Sequence, residues 1–199
     1  MSEHYYSNQP TSKHDFNDIR LDFGDELFKF TTDAGVFSKD RIDPGTKLLL
    51  KAIDVKEEDC FLDLGCGYGV VGVIVGKFRP KSSIYMVDIN QRACDLSAKN
   101  LENNGVSNAQ VICGDGLTVV MDVKFDCIAT NPPIRAGKKE IYAMADMAYE
   151  QLKQNGRFYA VIRTSQGAAS FAKQLEKTYG NVATVEVKGG YRVLCSIKG

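Results

Sequence analysis

Four short segments carry the residue types and spacings that could do chemistry. The first, Asp63-Leu64-Gly65-Cys66-Gly67-Tyr68-Gly69, follows an apolar run and opens a stretch rich in Val and Gly. Glycines here permit a tight turn and let the backbone approach a ligand with no Cβ in the way. The spacing is G-x-G-x-G rather than the G-x-G-x-x-G favoured for pyrophosphate. The acid two positions before Gly65 would repel a pyrophosphate and suits a cationic ligand, directly or through water. Asp88, followed by Ile89, lies 19 positions after Gly69, where a carboxylate can accept hydrogen bonds from both ribose hydroxyls of an adenosine. Gly114-Asp115-Gly116 comes next, and Asp115 could bond an adenine amino group. Taken singly, each is equally a turn, a helix cap or a surface acid. Their order, at the ends of successive apolar runs, points to one nucleoside-bearing ligand.

The fourth segment, Asn131-Pro132-Pro133-Ile134, has a different content. Its plain reading is a rigid turn that ends a strand. Its chemical reading is a paired acceptor. An amide side-chain oxygen and a backbone carbonyl, held by two prolines, can accept both hydrogens of an exocyclic NH2 and aim the nitrogen lone pair at a methyl donor. Proline has no N–H, so no competing donor is present.

These segments need a scaffold that brings strand ends together. From Cys60 onward the chain alternates: short β-rich runs at 60–64, 83–87, 109–113, 125–130 and 157–162, helical stretches at 70–78, 91–103 and 139–153, and 166–179 after the fifth run. A shorter segment, 116–121, links the third and fourth runs. Such alternation implies βαβ units, hence an α/β fold with a mostly parallel sheet and helices on both faces. Asn90 can cap its helix, and Gly105 follows that helix's end. Two runs, 182–187 and 191–197, joined by Lys188-Gly189-Gly190, read as a terminal antiparallel hairpin. Upstream, 26–31 alternates apolar and polar residues as a strand does, and Asp43-Pro44-Gly45-Thr46 turns into an amphipathic segment at 47–53. Residues 1–20 are polar and read as loosely held.

Composition excludes several classes. The 199 residues, 44% hydrophobic and 25% charged, fit one globular domain. No apolar run approaches the ~20 residues a membrane helix needs, and the first ten residues lack the basic start and apolar stretch of a secretory signal. The expected address is the cytoplasm, with no membrane partner. Six cysteines occur without a C-x-x-C pair, and the two histidines lie in the polar N-terminal stretch; free buried thiols and no metal site are expected. The formal net charge is zero, which gives no bulk support for nucleic-acid binding and leaves room for a local basic patch.

The set DLGCGYG, Asp88, Asp115 and NPPI resembles class I (Rossmann-like) S-adenosylmethionine-dependent methyltransferases that modify planar amino nitrogens. The run Phe30 to Ser38, with Asp43-x-Gly45-Thr46 and Ile134-Arg135-Ala136-Gly137-Lys138, is similar to the RsmC-like guanine-N2 methyltransferases of small-subunit ribosomal RNA. The resemblance covers roughly residues 26–199. It implies a seven-stranded sheet with the last strand antiparallel and S-adenosyl-L-methionine as cofactor. It implies that Asp63, Gly65 and Gly67 surround the methionine part, that Asp88 holds the ribose and Asp115 the adenine, and that Cys66, Ile89 and Gly116 also bind the cofactor. The Gly35–Ser38 segment, with Phe37, would close over the cofactor. Asn131 would reach both cofactor and substrate, and Pro132, Pro133 and Ile134 would complete the catalytic loop. On this resemblance, residues 1–46 form an N-terminal extension and 47–199 the catalytic domain. Related amino methyltransferases often carry an aromatic residue where this chain has Ile134, so less stacking energy is available for a flipped base. Longer bacterial members resemble two fused halves; self-association as a homodimer is one way to supply the missing surface. Ribosomal RNA, or the small subunit, is the expected partner, with Lys39, Arg41, Arg135, Lys138, Lys139 and Arg163 as phosphate contacts. Rival readings are an N-methyltransferase of protein glutamine or DNA adenine, a nicotinamide oxidoreductase, and a non-catalytic assembly factor.

Overall fold

The structure is a computed structural model that describes residues 12–133 and 137–199. Its centre is a seven-stranded sheet in the order β5-β4-β3-β6-β7-β9-β8. In chain order these strands are β3 (Cys60–Leu64), β4 (Ser83–Asp88), β5 (Ala109–Cys113), β6 (Phe125–Thr130), β7 (Leu152–Arg163), β8 (Ala183–Lys188) and β9 (Tyr191–Ile197). The strands β3 to β7 pair in parallel. The chain ends by placing β9 antiparallel between β7 and β8. The terminal hairpin and the mostly parallel sheet expected from the sequence are therefore present, in a Rossmann-like arrangement.

Helices cover both faces, which is why the inner strands read as apolar runs. On one face lie α1 (Pro44–Ala52), α2 (Val70–Phe78) and α3 (Gln91–Asn103), with Leu49, Val73 and Phe61 in their shared core. On the other lie α4 (Lys138–Gln151), α5 (Ala168–Tyr179) and a 3-10 turn, Gly116–Val120, packed around Phe125, Phe158 and Phe171. Asn90 caps α3 by accepting from the Arg92 and Ala93 amides. Gly105 (φ 63°) then reverses the chain, and Val106 N–H closes on Leu101 C=O.

The N-terminal region departs from expectation. A strand β1 (Asn17–Phe23) pairs antiparallel with β2 (Glu26–Thr32) where a loose polar segment was expected. The signal was faint because only Ile19, Leu21 and Phe23 alternate, among polar neighbours. A two-residue turn led by Gly24 (φ 60°) makes the pairing possible. Phe28 and Phe30 of β2 join the core of the α1–α3 face, and Asn100 of α3 bonds both the N–H and the C=O of Thr31. Several element boundaries also move. The first helix starts at Pro44, because Asp43 caps it, and β7 starts at Leu152, which pairs with Phe125 ahead of a bulge.

Candidate active site

Strand order reverses between β3 and β6, and open α/β sheets bind ligands at such a point, beyond the C-terminal strand ends. A cleft of about 420 Å3 lies there. It is lined by Phe37, Asp63, Gly65, Cys66, Gly67, Asp88, Ile89, Asp115, Gly116, Asn131, Pro132 and Pro133. The structure thus gathers all the candidate residues except Ile134, which with Arg135 lies outside the described residues. Among the described residues, the charged ones lining the cleft are Asp43, Asp63, Asp88, Asp115 and Glu140. These are all acids, which favours a positively charged ligand.

The glycine loop is built by its neighbours. Gly65 and Cys66 N–H both donate to Val87 C=O of β4, at 2.8 and 3.0 Å. Gly65 (φ 72°) and Gly67 (φ 57°) take left-handed backbone, and a Cβ on either would meet nothing within 4 Å. They present bare backbone to the cleft. Gly69 and Gly72 serve packing instead, since a Cβ on either would collide with Met86.

Asp63 does something the sequence did not suggest. Its Oδ2 accepts the Gly72 N–H at 2.8 Å, one of the orphan amides in the first turn of α2. The residue at the helix start, Gly69, has no side chain to do this. Asp63 is almost fully buried, and burial pushes its carboxyl up to about 7, with the Gly72 amide opposing and the Asp88 charge adding. Asp88 accepts from Gly67 N–H (2.8 Å) and Asn90 N–H (2.9 Å), one on each oxygen. Its carboxyl is raised by burial against these amides. A carboxylate offers about four acceptor sites, so both oxygens keep capacity for a ligand. Asp115 leads the 3-10 turn without capping it through its side chain.

The Gly35–Ser38 segment is tied to neighbouring elements by hydrogen bonds. Asn90 Nδ2 donates to Gly35 C=O at 2.9 Å, and Tyr68 Oη reaches Ser38 C=O at 3.5 Å. Phe37 and Ser38 then line the cleft wall. Cys66 and Cys127 are buried, and burial raises both thiols well above the ordinary range. Neither is a thiolate nucleophile at neutral pH.

Asn131, just after β6, is held by residues that the sequence offered as a helix start and as part of the family resemblance, but not as partners of Asn131. Its Nδ2 donates to Asp43 Oδ2 (3.2 Å) and Thr46 Oγ1 (3.0 Å). Both amide hydrogens are used, which leaves Oδ1 as an acceptor. The signal was present in the Asp43-Pro44-Gly45-Thr46 turn, but nothing local told which distant side chain it would meet. Met144 and Met147 of α4 and Thr118 complete the walls near the prolines.

A family model described as the methyltransferase small domain matches residues 27–195. This chain belongs to that family. It is 39% identical to the uncharacterized protein YbxB of Bacillus subtilis over 98% of both chains. It is 33% identical to ribosomal RNA small subunit methyltransferase C of Pseudoalteromonas atlantica, over 94% of this chain and 52% of that one. Among solved structures, the T. thermophilus 16S rRNA N2 methyltransferase RsmC, in complex with AdoMet and guanosine, superposes with a TM-score of 0.84 at 25% identity. That match covers 96% of this chain and 52% of RsmC. The chain thus spans nearly all of YbxB and about half the length of the methyltransferase C relatives.

Among the described residues no helix is long and apolar enough to cross a membrane.

Proposed function

We propose that this protein is an S-adenosylmethionine-dependent N-methyltransferase that modifies the exocyclic N2 of a guanine in small-subunit ribosomal RNA. The observation that carries the reading is the acid-lined cleft with Asn131 Oδ1 offered as an acceptor at its edge. The cleft fits the cofactor: among the described residues its charged lining groups are all acids, and Gly65 and Gly67 leave space where side chains would intrude. When bound, S-adenosylmethionine would supply a methyl group whose bond to the sulfonium sulfur breaks as the N–C bond forms, with S-adenosylhomocysteine leaving as a neutral thioether and the extra proton of the methylated amine passing to solvent. Asp88 receives the ribose hydroxyls with its remaining lone pairs, and Asp115 the adenine amino group. Gly35–Ser38 covers the cofactor and excludes water, so the described part of residues 1–46 acts as a closing extension to the catalytic domain. Asn131 Oδ1 and the Pro132 carbonyl accept the two hydrogens of the target amine and direct its lone pair.

The likeness to RsmC supports guanine in ribosomal RNA as the acceptor, and on this reading the protein works in the cytoplasm on the small subunit. Lys39, Arg41, Lys138, Lys139 and Arg163 make phosphate contacts. Mass mapping of modified nucleotides in small-subunit RNA from cells lacking the protein should reveal one missing guanine methylation. An unchanged map removes this substrate, and labelled cofactor offered to RNA, DNA and protein fractions then finds the acceptor. Asn131→Ala should abolish most turnover and leave cofactor affinity nearly unchanged; parallel loss of both would refute the role of Asn131.

A further inference from the structure

The geometry points to Asp43, with Thr46 and Tyr191, as a positioning group that decides which end of the Asn131 amide faces the substrate. This inference rests on the proposed N-methyltransferase reading of the same cleft.

An asparagine amide has two ends of nearly equal size and opposite hydrogen-bonding sense. A target NH2 needs the oxygen end. The other end must therefore be given acceptors, and Asp43 supplies one that cannot act as a donor when ionised. Its Oδ2 takes the Asn131 Nδ2–H together with the amides of Gly45 (2.8 Å) and Thr46 (3.2 Å). Its Oδ1 takes the Tyr191 hydroxyl at 3.1 Å. Thr46 Oγ1 receives the second Nδ2–H. Turning the Asn131 amide over would set its oxygen against the Asp43 carboxylate, which is repulsive. The carboxylate also polarises the amide, so Oδ1 becomes a stronger acceptor for the substrate.

A second observation shows that this contact is built rather than incidental. Gly45 has no positive φ, yet a Cβ there would lie 2.7 Å from Asp43 Oδ2 and 2.7 Å from the Tyr191 ring. The bare backbone at position 45 is what lets the carboxylate and the phenol close on each other. Tyr191 opens β9, the strand inserted between β7 and β8. The C-terminal hairpin thereby braces the start of α1, and α1 braces Asn131. The Arg163 guanidinium lies 4.7 Å over the Tyr191 ring and closes the outer side of the network.

The test uses side-chain 15N–1H spectra of the whole protein, with the Asn131 pair assigned by its loss in Asn131→Ala. Both Hδ2 protons should be shifted and slow to exchange in the wild type. Thr46→Val should release one of them and Asp43→Ala the other. Asp43→Asn, which can keep an oxygen in the Oδ2 position, should stay close to the wild type. In parallel, turnover on small-subunit RNA from cells lacking the protein should fall about 10- to 100-fold in Asp43→Ala. Asp43→Asn should recover most of it, while S-adenosylmethionine affinity stays within about threefold. The inference is overturned if the Asn131 protons ignore Thr46→Val and Asp43→Ala. It is also overturned if both Asp43 variants lose turnover equally, or if turnover falls only in step with cofactor affinity and melting temperature. A wild type that does not methylate this RNA would remove the substrate assignment, and the spectra alone would then decide the role of Asp43.

Discussion

Replacing Asp63 with Asn should remove most of the pH dependence that this one carboxyl imposes on stability between about pH 4 and pH 7. An exposed Asp ionises near ~3.9, whereas burial pushes Asp63 up to about 7 in the folded chain. Below both values the group is protonated in either state and costs nothing. As pH rises, the unfolded chain ionises first, so the folded state loses stability until the folded carboxyl also ionises near 7. At about 1.4 kcal/mol per pH unit, the full cost levels off at about 4 kcal/mol, of which about 3 kcal/mol accrues between roughly pH 5 and 8. Asparagine keeps an oxygen for the Gly72 amide and has no charge to bury. Urea unfolding of the ligand-free protein across that range should show the wild type declining relative to Asp63→Asn, with equal m values. Two parallel curves would mean that burial imposes no such penalty on Asp63. Because a cation in the cleft favours the ionised carboxyl, cofactor binding near pH 7 should release a fraction of a proton from the wild type. That release, read by calorimetry in buffers of different ionisation enthalpy, should be smaller in Asp63→Asn.

Three further outcomes follow from the same site. Gly69→Ala should cost about 3 kcal/mol in thermal unfolding, from left-handed strain and overpacking, since its φ is 94° and its Cβ would lie 2.8 Å from Met86 Cε; a loss below about 1 kcal/mol would mean that the loop relaxes freely. Phe37→Ala should weaken S-adenosylmethionine binding about tenfold by removing apolar cover, and an unchanged Kd by calorimetry would remove Phe37 from the cover. Charge reversal at Lys138 and Lys139, exposed at the start of α4, should weaken RNA binding and flatten its salt dependence by about 1.5 to 2 units in slope; identical salt titrations would place the RNA elsewhere.

Much of this molecule is legible locally. The strand–helix alternation from Cys60, the Asn90 cap, the Gly105 stop and the terminal hairpin rest on periodicity and turn chemistry, which act within a few residues. The glycine loop, Asp88, Asp115 and Asn131 were legible for a related reason. A parallel sheet carries each strand's C-terminal end to one edge, so residues placed after successive strands must share that edge. Short elements with thin patterns were not legible, as β1 shows.

Tertiary structure alone decided who partners whom. Asp63 was readable as an acid at a strand end, but its cap on Gly72 needed the loop's actual turn. Asp43 was readable as a helix start, but its carboxylate meets Asn131 88 residues on and Tyr191 148 residues on. Closure of that kind depends on β9 slipping between β7 and β8 and on Gly45 leaving room, neither of which is a local preference. The chain's own letters therefore specify the glycine loop and the Asn-Pro-Pro turn, and packing specifies which end of that asparagine's amide is held by Asp43 and Thr46.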